Sequence, residues 1–211
     1  MTMRSMIGIL AAACLAAVAP CTFAQMTGEK KADKPAAKPA AKPAAEKKAA
    51  MEMPKPPAEL AQLSAFNGSF ACTGEFKMDP AGPPMKIRSS VKARTAMGGF
   101  WQAGTVNATS AGGPGFEGMF HTTYDSGQKR YVMLWVDSTG AYSQETAPGW
   151  EGDKIVYTGD GTMNGQKMQL RDTFTKTGDG FKHAAEMKAN GQWASMGEET
   201  CKKAAAAAAK K

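Results

Sequence analysis

The chain has 211 residues and a formal net charge of +7. Residues 57–201 carry thirteen Lys and Arg against fifteen Asp and Glu, so the positive charge lies in the segments on either side of them. This acidic balance argues against a folded nucleic-acid-binding domain, which would concentrate Lys and Arg on the fold itself. The length of residues 57–201 suits one domain with a hydrophobic core.

Residues 1–24 have the pattern of a secretory signal peptide. Arg4 precedes an uncharged apolar run, and Thr22-Phe23-Ala24 supplies the small residues of a cleavage site. The run is shorter than the ~20 residues that a bilayer-spanning helix needs. We therefore expect an exported protein, periplasmic or secreted, with no transmembrane segment in the mature chain. An uncleaved anchoring helix is the alternative interpretation.

Residues 25–56 are predicted to form a disordered linker. The sequence Lys-Pro-Ala-Ala recurs from Lys34 onward, and Pro at this spacing prevents a regular helix. The segment has little apolar bulk to bury. Its lysines predict either a weak association with anionic cell-envelope components or a solvated spacer that binds nothing. The Ala/Lys tail, residues 202–211, is too short to form a stable helix alone.

Residues 57–201 are predicted to form an all-β domain that begins with one short helix at 57–63. Turn signals such as Asn164-Gly165 and Asn190-Gly191 separate short stretches along the chain, as in an antiparallel meander. Ten hairpin-linked strands would leave two bare edges unless the sheet closes. We therefore predict an up-and-down barrel of calycin or lipocalin type, with room inside for a ligand, and a two-sheet sandwich is the alternative. The predicted strands are 68–77, 85–96, 99–108, 116–124, 129–137, 140–146, 153–159, 166–176, 180–188 and 191–201.

Several short motifs follow one another in an order that resembles a known family. They are Gly68-Ser69-Phe70, Met97-Gly98-Gly99-Phe100-Trp101, Phe116-Glu117-Gly118, Tyr124-Asp125, and the run from Lys129 to Asp137. Together they resemble the bacterial uncharacterised-domain family 1579 over about residues 58–200. The resemblance implies a lipocalin-type barrel, and it implies no activity, ligand or catalytic residue.

Strand alternation predicts which side chains face the barrel interior. His183 shares a face with Phe181 and Met187, which we take as the inner face. Such an interior suits a small apolar ligand that is oriented by a few polar groups such as His183, and no cofactor is predicted. The predicted pocket-lining residues are Phe70, Phe120, Tyr124, Trp135, Phe174, Phe181, His183 and Trp193.

Two other functions remain open at this point. Some ten-stranded barrels of the nitrobindin type hold haem through one axial His on a late strand, and His183 lies on the ninth predicted strand. A pocket-wall His that hydrogen-bonds a neighbour is the favoured interpretation over this haem or gas-binding one. The other alternative is a cell-envelope interaction module, in which the linker binds and the barrel is a filled, rigid head.

No catalytic or metal site is predicted, and the protein is expected not to be an enzyme. His121 and His183 fit no His-x-x-x-His or Cys-x-x-Cys pattern, and Gly-x-Ser-x-Gly does not occur. Asp172 is in phase with Phe174, which predicts an inward carboxylate paired with an inward Arg or Lys.

Cys72 and Cys201 are predicted to form a disulfide. Loss of the signal peptide would leave them as the two cysteines of the mature chain, in an oxidising compartment. In a closed meander the first and last strands are antiparallel neighbours, which brings their side chains within bridging distance. Alternation also places Cys72 in phase with Phe70 and Cys201 in phase with Trp193, so that both cysteines would face inward. Two separate buried thiols are expected if the fold is an open sandwich.

Overall fold

The computed structural model describes residues 53–110 and 115–204. The predicted signal peptide lies outside the described residues, as do most of the predicted linker and most of the predicted tail. The described part contains 3-10 helices at Ala58–Phe66 and Met97–Gly99. Its strands are β1 Gly68–Phe76, β2 Met85–Ala96, β3 Trp101–Ser110, β4 Phe116–Asp125, β5 Arg130–Asp137, β6 Tyr142–Ala147, β7 Trp150–Glu151, β8 Lys154–Met163, β9 Gln166–Lys176, β10 Gly180–Ala189 and β11 Gln192–Lys203.

Ten of these strands close into one antiparallel barrel. Neighbours along the chain pair from β1 to β6 and from β8 to β11, β6 pairs with β8, and β11 returns to pair with β1. The two-residue β7 only extends the sheet beside the start of β8. The predicted ten-stranded up-and-down barrel is confirmed. The sandwich alternative is wrong, because the first and last strands are hydrogen-bonded to each other.

Two of the hairpins have the backbone that their sequence predicts. Asn164 and Gly165 have φ values of 50° and 75°, and Asn190 and Gly191 have φ values of 50° and 80°. Positive φ at both central residues defines the type I′ turn, whose twist matches that of the flanking strands. These turns fix the pairing of β8 with β9 and of β10 with β11.

Strand β8 ends at Met163, four residues later than predicted. Its second half contains two glycines, Gly159 and Gly161, which suggest a turn in the sequence. In the structure they lie within the strand, where the backbone of β6 approaches closely. A Cβ atom at Gly159 would overlap the carbonyl oxygen of Gln144. Glycine here permits the β6–β8 pairing that closes the barrel.

The 3-10 helix Ala58–Phe66 closes one end of the barrel. Phe66 stacks on Trp150 with a ring-centroid distance of 5.7 Å and meets the edge of Phe181 at 5.2 Å. The side-chain amide of Gln102 donates to the carbonyl of Leu63 at 2.8 Å. We call this the closed end, and the opposite end, where the hairpins β8–β9 and β10–β11 turn, the open end. In residues 53–110 and 115–204, no helix has the length and apolar character needed to cross a bilayer.

Candidate functional site

A histidine between two carboxylates lies in the barrel interior. His183 on β10 places its Nε2 atom 2.6 Å from Oδ1 of Asp172 on β9. Its Nδ1 atom lies 3.5 Å from Oε1 of Glu199 on β11. The ring of Phe174 stacks on the imidazole at 4.6 Å, with the two planes 10° apart. Three adjacent strands therefore hold the imidazole in one orientation.

Two serines and a second glutamate extend this arrangement around the barrel wall. The hydroxyl of Ser89 donates to Oε2 of Glu199 at 2.8 Å. The hydroxyl of Ser143 donates to Oε1 of Glu145 at 2.7 Å, and Glu145 is close enough to Asp172 to feel its charge. We call the set the polar cluster; its members are Ser89, Ser143, Glu145, Asp172, His183 and Glu199.

The cluster holds His183 in its charged form. Burial alone would lower the pKa of His183, but hydrogen bonds to Asp172 and Glu199 and the charges of both carboxylates outweigh burial and raise it to about 10. Burial would likewise raise the pKa of Glu199, but the contacts with His183 and Ser89 hold it below its usual value. At neutral pH both ring nitrogens of the imidazolium carry a proton; Nε2 donates to Asp172, and Nδ1 faces Glu199 at ion-pair distance.

Glu145 is held in the opposite state, as a neutral acid. Its residue is only 1% exposed. Burial, followed by the charge of Asp172, raises the pKa of Glu145 to about 9. Glu145 is therefore neutral at neutral pH. Its Oε1 atom accepts from Ser143, while its Oε2 atom is buried and has no hydrogen-bond partner among the described residues.

The cluster is partly exposed to solvent. The side chains of His183 and Asp172 keep exposed fractions of 17% and 16%, although both face inward. A recess of about 570 Å³ near the open end is lined by Ser89 and Phe116, among others. Most of its other lining residues, such as Arg88, Asn107 and Glu117, are exposed, so the recess lies at the rim and not in the barrel interior. His183 and Asp172 do not line this recess, so their exposure arises within the barrel.

The structure separates the predicted pocket-lining residues into two groups inside the barrel. Phe70 and Phe181 are buried in the packed core at the closed end. Phe120, Tyr124 and Phe174 are partly buried and pack against that core. Trp135 and His183 are partly buried as well.

Glycines make room for two of these rings. A Cβ atom at Gly104 would overlap the ring of Phe120, and one at Gly118 would overlap the ring of Trp135. The indole N–H of Trp135 donates to Asp137 at 3.0 Å. The two rings are therefore held flat against the barrel wall.

The predicted inward orientation of Trp193 is wrong. Trp193 is paired with Lys188 across the strands, and the guanidinium of Arg171 lies 4.6 Å from the centre of its ring. Arg171 and Lys188 alternate with the inward Asp172 and Met187, so this group lies on the outer face. The cause is a β-bulge in β11, where Met196 is left out of the pairing between Ser195–Glu186 and Gly197–Ala185. One extra residue reverses the alternation before it.

The predicted partner of Asp172 is also corrected by the structure. Asp172 does face inward, but it pairs with His183 rather than with an Arg or Lys. The neighbouring Arg171 points outward and makes two hydrogen bonds of 2.6 Å to Glu186. Sequence reasoning missed Glu145, Glu199 and both serines of the cluster. Glu199 had a usable signal, because it lies two residues before the inward Cys201.

The predicted disulfide is present beside the cluster. Cys72 and Cys201 are directly opposite each other on β1 and β11, and their sulfurs are bonded with a Cα–Cα distance of 4.0 Å. Glu199 lies next to them: its carboxylate and both sulfurs are within 4.8 Å of one another. All three residues are buried.

Comparison with known proteins agrees with the architecture. A crystal structure of Rv2717c from M. tuberculosis superimposes with a TM-score of 0.58 at 17% sequence identity, covering 72% of this chain and 100% of that one. At this identity the likeness concerns the fold alone. No curated protein matches the sequence. The model of one family matches residues 55–203, nearly the whole described domain. The chain therefore belongs to the family described as Protein of unknown function (DUF1579).

Proposed function

We propose that the domain binds a small molecule in the open half of the barrel interior, as a binding protein rather than an enzyme. The observation that supports this most is the solvent exposure of Asp172 and His183 inside the barrel. The imidazole stacks on the ring of Phe174, and the inward rings of Phe120 and Trp135 on β4 and β5 are also only partly buried. Ligand sites typically combine such apolar walls with a few fixed polar groups.

The proposed ligand has an apolar body and at least one hydrogen-bonding group. The body would lie against the aromatic rings, because they offer flat apolar surface. The hydrogen-bonding group would meet the pair of Asp172 and His183, whose geometry is already fixed by their mutual contact, by Glu199 and by the stacked ring of Phe174. A site organised before binding loses little conformational entropy when the ligand enters.

The contacts of His183 count against the haem alternative and against hydrolysis. An axial iron ligand needs a free imidazole nitrogen, and haem would have to displace Asp172 from Nε2. A hydrolase needs a nucleophile beside the His, whereas Ser89 donates to Glu199 instead. A haem titration that yields a Soret band, lost in His183→Ala, would reinstate the haem hypothesis.

We also propose that the protein works outside the cytoplasm. The signal-peptide pattern of residues 1–24 and the disulfide support this, because disulfides persist in oxidising compartments. Association of the basic linker with the envelope is a separate prediction. Deletion of residues 25–56 tests it: the envelope-module hypothesis requires that the deletion abolish envelope association while interior binding persists.

Two matched variants test interior binding. Ala185 faces inward opposite Asp172, and Ala184 faces outward beside it. Ala185→Trp should fill the interior and abolish the uptake of a neutral apolar probe such as N-phenyl-1-naphthylamine, whereas Ala184→Trp should bind it like the wild type. Circular dichroism confirms that both variants fold. Native mass spectrometry of the purified wild type provides a second readout, through a co-purified small molecule. Equal uptake by both variants, or no uptake by the wild type, would contradict the proposal.

A further inference from the structure

The corner of the barrel where β1 meets β11 brings three potential metal ligands together. Cys72 and Cys201 are opposite each other, and Glu199 precedes Cys201 by two residues, so its side chain projects to the same face. One ligand atom from each lies within 4.8 Å of the others. Thiolate sulfur and carboxylate oxygen are ligands that zinc accepts in proteins.

The carboxylate of this group is already oriented by other residues. Ser89 donates to Oε2 of Glu199 at 2.8 Å, and Nδ1 of His183 lies 3.5 Å from Oε1. Ligating carboxylates in metal sites are usually held by such outer hydrogen bonds, which lower the cost of ordering them on binding. Glu199 is thus fixed beside the sulfurs whether or not a cation is bound.

The disulfide and the metal would be alternative states of one site. Bonded sulfurs carry no thiolate, and the thiolate is the form that binds metals. A dithiol reductant supplies two electrons and two protons: the Cys72–Cys201 bond breaks, two thiols form, and the reductant becomes a disulfide. The two sulfurs can then move apart, because no other covalent bond joins the side chains of Cys72 and Cys201.

We propose that reduction of the Cys72–Cys201 bond converts this corner into a site for one thiophilic divalent cation such as Zn²⁺. The two thiolates and the carboxylate of Glu199 bind the ion, and a water molecule takes the fourth position. The two thiol protons are released on binding. Two thiolates and a carboxylate that lie close together in a buried place are stable only with a cation between them. Without metal, the two cysteines of the reduced chain therefore stay protonated. The proposal does not require that the barrel bind a small molecule, although Glu199 also belongs to the polar cluster.

Cobalt(II) is a spectroscopic probe for the proposed site. The protein without residues 1–24 is reduced with a dithiol, freed of reductant under nitrogen, and titrated with Co²⁺. The expected result is a thiolate-to-cobalt charge-transfer band with strong d–d bands, saturating at one Co²⁺ per chain and removed by Zn²⁺. The oxidised protein should show neither band.

Variants separate the proposed site from unspecific thiol binding. Cys72→Ser should lose about half of the charge-transfer intensity per bound ion. Glu199→Gln should weaken Co²⁺ binding about tenfold or more, while Glu198→Gln, at the exposed neighbouring position, should not change it. Circular dichroism follows the fold throughout. The proposal is overturned if the reduced protein shows no charge-transfer band, if Glu199→Gln binds like the wild type, or if an unfolded reduced chain does not regain sheet structure with metal.

Discussion

Replacing Glu145 by Gln is expected to stabilise the barrel at neutral pH. Burial and the charge of Asp172 raise the pKa of Glu145 from 4.5 to about 9. A group whose pKa is raised on folding contributes stability that is fully present below its unfolded pKa and is lost as the pH rises through the folded pKa. Each pH unit in that window lowers the unfolding free energy by about 1.4 kcal/mol. Gln stays neutral and so avoids this loss.

The expected difference in unfolding free energy depends on the pH range over which the two proteins can be compared. Between about pH 5 and about pH 8 the wild type should lose up to ~4 kcal/mol relative to Glu145→Gln. His183 has a raised pKa too, so its contribution is also lost as the pH rises, from its unfolded pKa to about 10. Because His183 is present in both proteins, its effect largely cancels in the difference between them.

Urea unfolding of both proteins at several pH values and constant ionic strength measures that difference. Glu186→Gln is the control, since Glu186 pairs with Arg171 on the outer face. The difference in unfolding free energy between this variant and the wild type should stay constant between about pH 5 and about pH 8. Parallel pH profiles for the wild type and Glu145→Gln would refute the reasoning, because they would mean that Glu145 is ionised inside the barrel.

Three further outcomes are expected. Replacing both cysteines of the disulfide by Ser should lower the unfolding free energy by up to ~5 kcal/mol, since the bond joins residues 129 apart in sequence; a denaturation midpoint unchanged from that of the oxidised wild type would contradict this. Gly118→Ala should cost about 1–3 kcal/mol by pushing the ring of Trp135, whereas Gly178→Ala, with open space around its Cβ, should be almost neutral in thermal unfolding. N-terminal sequencing of protein from the cell envelope should find Gln25 first, and an intact Met1 in the cytoplasm would exclude export.

The barrel and its disulfide could be predicted because both depend on local signals. Asn-Gly turns at 164–165 and 190–191 set antiparallel neighbours, and an antiparallel meander of many strands has to pair its ends. Once β1 and β11 are neighbours, Cys72 and Cys201 can meet if both side chains point to the same face of the sheet. Because side chains alternate along a strand, the same rule would have placed Glu199, two residues before Cys201, on the inner face as well.

The rest of the site could not be predicted from hydrophobic alternation. The inward face of β6 carries Ser143, Glu145 and Ala147, so it lacks the large apolar residues that mark an inner face. The prediction for Trp193 was wrong for another reason. Its inward orientation was inferred by counting alternate residues back from Cys201, and the β-bulge between them adds one residue to that count. The glycine at 197, with φ of 148°, is the sole local feature that matches the bulge.

Both ends of the domain leave the barrel at its closed end. Pro56 lies beside Gly99 in the 3-10 turn at that end, and the backbone N–H of Ala204 donates to the carbonyl of Ser69 at 2.8 Å. The open end lies the length of a strand away, about 30 Å for ten residues. A domain anchored to a surface through either terminus therefore directs its opening away from that surface. A solute then reaches the polar cluster by free diffusion, without passing between the barrel and its anchor.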